Sequence, residues 1–147
     1  MPFAVVIGAA LSLCLVAVPG CSNPTDQTTS TQTAGYAVVV RDGARTLGRF
    51  DLRALGAMPQ KEIATPQSQG KQIQRGPLVR TVLTRAGVER FNVLRAVGRR
   101  IAQTFSAAEI DDTVLLDFDK AATVKLAGPK LPQSRWVQDL IELDVDP

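Results

Sequence analysis

The first twenty residues of this chain carry no charged side chain, and a cysteine follows at once at position 21. From Phe3 to Val18 every residue is apolar or small, so the chain divides into parts that obey different physics. That run is shorter than the about 20 residues a membrane-spanning helix needs, and it matches the apolar core of an export signal. The 45% hydrophobic content of the whole chain is therefore concentrated at its start. The remainder has the composition of an ordinary soluble domain, and its length suits a single compact unit.

The apolar run closes on Val18-Pro19-Gly20-Cys21, and no A-x-A-like cleavage site is well placed. The segment instead resembles a bacterial lipoprotein signal peptide, whose closing motif sets a small residue before the cysteine that becomes the acylated N-terminus. Val18, Gly20 and Cys21 fit that motif, while Pro19 and the lack of Lys or Arg ahead of the run depart from it. The resemblance implies that residues 1–20 are a removable signal peptide and that Cys21 carries palmitate-type acyl chains. The protein would then sit at the extracytoplasmic face of a bacterial cell membrane, held by lipid without a spanning helix. Cys14 would leave with the leader and Cys21 would be consumed as a thioether, so no thiol or disulfide would remain. The alternative is a hydrophobic first helix with Cys21 as an incidental thiol.

Cys21 to Gly35 reads CSNPTDQTTSTQTAG, with seven Ser or Thr and one charge. Such a segment cannot bury enough apolar surface to offset the entropy of ordering, and residues 21–35 read as a flexible tether reaching roughly 20 Å. The domain follows over residues 36–147. Tyr36 to Val40 is a β-branched run ended by the turn pair Asp42-Gly43. Phe50 to Leu55 reads as a short helix with Asp51 as N-cap. The clearest helix is 77–86, with Pro77 at its start, Gly87 past its end, and an apolar stripe of Leu78, Val79, Val82, Leu83 and Ala86. Strands are expected at 61–65, 71–74, 91–96, 101–105, 114–118, 123–126 and 136–145. In the last, Val137, Ile141, Leu143 and Val145 share a face. Ser106 to Glu109 has capping-box spacing and reads as a single turn. The expected class is α+β, mostly β, with one well-defined helix.

The chain contains no histidine and only two cysteines. Ser-His-Asp or Cys-His catalysis, an HExxH zinc site, a C2H2 finger and an axial-His haem are all excluded. No catalytic residue and no metal ligand is assigned. Asp111-Asp112 and Asp117-x-Asp119 read as turn and strand-end carboxylates, since no Ca²⁺-loop spacing accompanies them. Trp136, the single tryptophan, reads as a core anchor. Basic residues dominate as far as Ile110 and acidic ones beyond it. The two parts either compensate one another across the fold or leave a basic face for anionic headgroups or an acidic ligand. Arg99-Arg100 reads as a solvated turn tip, with contact to an anion as the alternative. Nucleic acid is not expected, because no aromatic platform is interleaved with the arginines.

From Phe50 onward the chain resembles the oxidoreductase molybdopterin-binding domain, the sulfite-oxidase-like fold, in a small exported form. Three stretches carry the resemblance: Phe50 to Leu55 with Met58-Pro59; Thr65-Pro66 with Gly70 and Arg75-Gly76-Pro77-Leu78 through Val88; and Trp136 through Val145. In the full enzymes a cysteine thiolate ligates molybdenum in the segment before the Gly-Pro-Leu helix. Here that segment is Ile63-Ala64-Thr65-Pro66-Gln67-Ser68, and a neutral hydroxyl is a poor replacement for a soft anionic sulfur. The resemblance thus implies a retained scaffold without the metal site, and no cofactor is assigned. Thr65, Gln67, Ser68, Lys71 and Arg75 stand where the family places its cofactor-facing loop. They are the candidate lining for a small anionic ligand, and an envelope protein is the other partner considered. The alternative function is a molybdenum-pterin oxidoreductase or its accessory subunit; a structural envelope protein without a ligand is a third.

Overall fold

Val38 and Val40 alternate with Val39 and Arg41 along β1 (Ala37–Asp42), and only the first pair is fully buried. That period of two fixes which face of the sheet becomes core. The computed structural model describes residues 35–147. The leader 1–20, Cys21 and the tether as far as residue 34 lie outside the described residues.

A turn at Gly43, whose φ of +57° glycine adopts without steric cost, folds β2 (Arg45–Asp51) back on β1. The Asp51 carboxylate then accepts from the Ala54 N–H at 2.7 Å and caps α1 (Leu52–Gly56). β3 (Lys61–Ala64) and β4 (Ile73–Gly76) form an antiparallel pair joined by the loop 65–72. After α2 (Val79–Arg85) come β5 (Val93–Gly98), β6 (Ala102–Ser106), β7 (Leu115–Phe118), β8 (Val124–Ala127) and β9 (Leu140–Val145). The domain is α+β and mostly β, as expected.

Five strands make the main sheet, in the order β2-β1-β9-β5-β6. Only β1 and β9, the first and last strands, run parallel. Val38, Val40, Leu94, Ala96, Phe105, Leu143 and Val145 form its buried face, in one cluster with Val79, Val82 and Leu83 of α2. β7 and β8 pair separately. Gly76 lets β4 meet β7 closely: a Cβ there would stand 1.7 Å from the Leu116 carbonyl oxygen.

Several expected boundaries move, each for a local reason. The helix expected at 77–86 is Val79–Arg85, because Pro77 and Leu78 are used to reach β7. The Pro77 carbonyl accepts from Leu116 N–H at 2.9 Å, and Leu78 bridges Leu115. Gly87, at φ +86°, does terminate the helix. The helix expected at Phe50 to Leu55 starts at Leu52, since Phe50 and Asp51 belong to β2, a strand the sequence pattern did not reveal. The strand expected at 71–74 is Ile73–Gly76; Lys71 and Gln72 stay in the loop that Thr65 N–H closes on the Gln72 carbonyl.

The long final strand is interrupted. Trp136 follows a 3-10 turn (Gln133–Arg135), Val137 bridges Leu126, and Asp139 takes a left-handed φ of +48°. Opposite Val97 and Gly98, Ile141 is the extra residue of a bulge. Leu140 is therefore buried and Ile141 exposed, so Ile141 does not share the face of Leu143 and Val145. At Ser106 the Glu109 carboxylate accepts from the Ser106 N–H at 2.8 Å, half of a capping box on an isolated turn.

Candidate functional site

The loop 65–72 is held by its own polar side chains. The Thr65 hydroxyl donates to the Gln72 carbonyl at 3.2 Å and accepts from the Gln74 amide at 3.0 Å, with both side chains buried. Ser68 is buried, and its N–H donates to the Thr65 carbonyl at 2.9 Å. Gln67 turns the other way, donating to the carbonyls of Gly128 and Pro129 at 3.3 and 3.0 Å. Lys71 reaches Asp117 at 2.6 Å, and Arg75 N–H donates to the same oxygen at 2.8 Å. The exposed Arg75 guanidinium lies 3.8 Å from Glu62. Thr65, Lys71 and Arg75 thus gather around Gln74 and Asp117, while Gln67 and Ser68 close the loop.

Asp117 was read from sequence as a strand-end carboxylate, and it is the buried anchor of this loop, with its side chain 1% exposed. Lys125 stands 3.5 Å from its second oxygen and 5.6 Å from the centre of the Trp136 ring. The donors meet one oxygen, while the other is buried with Lys125 as a charge partner and no hydrogen bond. The signal was present in Leu115-Leu116-Asp117-Phe118: a charge inside an apolar run needs a partner.

A groove of about 440 Å³ opens nearby, lined by Arg100, Ile101, Gln133, Ser134, Trp136 and Gln138, with Asp139 at its edge. Three segments build it: the β5–β6 turn, the 3-10 turn, and the extended stretch leading into β9. Their mutual position is fixed by main-chain bonds. Arg99 N–H donates to the Asp139 carbonyl at 3.1 Å, and Gly98 N–H to the Ile101 carbonyl at 2.8 Å. A Cβ on Gly98 would stand 2.3 Å from the Gln138 carbonyl oxygen, so only glycine permits this approach. The Asp139 carboxylate accepts from the Thr123 hydroxyl at 2.8 Å. Trp136 is 4% exposed and donates its indole N–H to the Leu131 carbonyl, so it anchors the core and lends only an edge to the groove. The side chains of Arg100, Gln133, Ser134 and Gln138 are exposed and form no hydrogen bond with the other described residues.

Beside the groove, the Tyr36 hydroxyl donates to the Leu140 carbonyl and accepts from Val124 N–H at 3.0 Å. Burial pushes this phenol above its ordinary range; the Val124 bond and Arg99 oppose the shift and Asp139 adds to it. Elsewhere, two ion pairs partly balance the charge asymmetry, Arg41–Glu142 and Lys71–Asp117, while Glu109–Arg135 pairs the minority charges of the two parts. Ser106 N–H and Arg135 hold Glu109 below the usual carboxylate range. Lys130 and Thr113 lower Asp111 to about 2. No helix among the described residues is long and apolar enough to cross a membrane. Compared with models of protein families and with curated proteins, the chain matches none.

Proposed function

We propose that the protein is a lipoprotein, anchored through Cys21 at the extracytoplasmic face of the membrane. It displays a metal-free, non-catalytic domain of the sulfite-oxidase-like molybdopterin-binding fold that binds a small anionic ligand. One observation carries the non-catalytic reading. Thr65, in the segment where the resemblance expects a metal-binding thiolate, is buried with its hydroxyl engaged by Gln72 and Gln74. The neighbouring donors are engaged as well, Lys71 by Asp117 and Gln67 by two carbonyls. These residues do not fit a molybdenum–pterin group, which needs a soft anionic ligand and unengaged donors, and no redox step is derived through it.

The groove beside Trp136 supports ligand binding better than the loop does. It offers an unengaged guanidinium on Arg100, neutral donors on Gln133, Ser134 and Gln138, and the Asp139 carboxylate, which already accepts from Thr123. Such a set suits an anion that also carries hydroxyl or ester oxygens. Three measurements test the reading. Cys21→Ala should abolish acyl labelling; unchanged labelling overturns the anchor. Metal analysis of protein made in a host that synthesises the cofactor should find no molybdenum, and a stoichiometric amount overturns the binding-module reading. Small phosphate esters should raise the melting temperature of the native chain but not of Arg100→Gln; equal shifts in both overturn the groove as the site.

A further inference from the structure

The chain comes into the domain at one end of the five-stranded sheet, and the topology gathers a basic surface at that same end. β1 and the parallel β9 begin there, at Ala37 and Leu140; the antiparallel β2 and β5 finish there, at Asp51 and Gly98. With strands about 4.8 Å apart, β5 lies about 10 Å from β1. Hydrogen bonds span that distance: Tyr36 holds the Leu140 carbonyl, and the adjacent Asp139 carbonyl holds Arg99 N–H.

Four arginines belong to this end. Arg99 and Arg100 are exposed on the β5–β6 tip, Arg53 is exposed on α1, and Arg49 lies next to the end of β2, 3.4 Å from the Gly35 carbonyl. None has a carboxylate partner among the described residues. Lys120 and the carboxylates Asp51, Asp119 and Asp139 are also here; the carboxylates accept from Ala54 N–H, Lys120 N–H and the Thr123 hydroxyl and keep their charge, so five basic residues face three acidic ones. At the opposite end Asp42, Glu89, Asp144 and Asp146 are matched by Arg41, Arg45, Arg90 and Arg95. The end where the chain comes in therefore carries an excess of basic residues that the far end lacks.

We infer that the basic end, groove included, docks on anionic phospholipid headgroups of the membrane that carries the anchor. The inference rests on the lipoprotein reading and names the ligand class of its groove. Arg99 and Arg100 pair with phosphodiesters, Gln133, Ser134 and Gln138 bond headgroup oxygens, and Ile101, 44% exposed, reaches the apolar boundary. Each basic residue near an anionic surface strengthens binding about fivefold, a weak effect alone. A short tether converts docking into an intramolecular step at roughly millimolar effective concentration, which makes a weak face sufficient. The far end has no such excess of basic residues, so the orientation is selected as well as the contact.

The test uses the full chain carrying Cys21→Ala, so that no acyl group contributes. It is cosedimented with vesicles of phosphatidylcholine alone or with about one third phosphatidylglycerol, at low salt. The leader is the same in every variant compared, so its own partitioning cancels in the comparison of the two double variants. Binding to anionic vesicles is expected to exceed neutral binding at least tenfold and to collapse at high salt. Arg99→Gln/Arg100→Gln should remove most of that excess. Arg45→Gln/Arg90→Gln removes the same charge from the far end and should change it less than twofold. The fold uses only backbone groups of Arg99, and far-UV circular dichroism verifies that both double variants are folded. No preference for anionic vesicles, or equal losses in the two double variants, overturns docking. Missing acyl labelling of the native chain overturns the anchor alone, so the two failures are distinguishable.

Discussion

Asp117 shows how much one residue can organise. Its carboxylate binds Lys71 from the loop, the main chain of β4 at Arg75 and Lys125 from β8, tying together segments far apart in sequence. Asp111 does a smaller version of the same work on the surface, where Lys130 at 2.6 Å and the Thr113 hydroxyl lower its pKa from 3.8 to about 2. Because the folded value is depressed, the stabilisation is fully present above about pH 4 and fades as pH falls from 3.8 toward 2. Asp111→Asn should cost about 1 kcal/mol at pH 7, the upper range for a partly exposed pair. The two proteins should converge in urea midpoint as pH approaches 2. A constant difference across that window would show that the carboxylate's charge is not what stabilises. Local pattern puts Thr65 and Lys71 in strands at 61–65 and 71–74, and only the family resemblance places them at a loop. Their engagement was not legible, because Asp117 lies 46 residues beyond Lys71 and only the fold brings them together.

At the scale of elements, two glycines a few residues apart have opposite roles. Gly76 sits where β4 presses on the Leu116 carbonyl, with no room for a Cβ, whereas Gly70 has nothing within 4 Å. Gly76→Ala should therefore cost about 3 kcal/mol or more, and Gly70→Ala about 0.5 kcal/mol or less in either direction, as read from urea unfolding. Comparable costs would mean that β4 does not approach β7 as described. The elements that sequence located best are those with a strong local signature: Asp51 capping α1, the Gly43 turn, Gly87 ending α2, and the apolar runs of β1, β5, β7 and β8. β2 was missed because it is an edge strand whose Arg45-Thr46-Leu47-Gly48-Arg49-Phe50 pattern buries little. β9 was drawn too long because Val137 and Leu140 look continuous with it. The left-handed Asp139 and the bulge at Ile141 that separate them depend on the facing Gly98, which no local pattern reveals.

Across the whole molecule, the parallel pairing of the first and last strands is the feature least legible in sequence and the one that closes the fold. β9 lies between β1 and β5 and buries Leu140, Leu143 and Val145. It also brings Trp136, Gln138 and Asp139 against the Arg99–Arg100 tip, so the candidate groove exists only once this long-range pairing has formed. Arg100 and Trp136 could each be weighed from sequence, but their juxtaposition could not. Removing residues 140–147 would strip two strands of their central partner, each left with unpaired backbone groups and an open apolar face. That truncated chain should show no cooperative thermal transition and no dispersed amide spectrum. Removing only Asp146 and Pro147 should be mild. It forfeits the Asp146 carboxylate bonds to Asn92 and Val93 N–H, both at 2.8 Å, and the Asp146 N–H bond to the Val93 carbonyl. Partly exposed bonds of this kind amount together to about 1–3 kcal/mol. A cooperative transition surviving the larger deletion would mean that β1 and β5 do not need β9 between them, and the strand order would have to be redrawn.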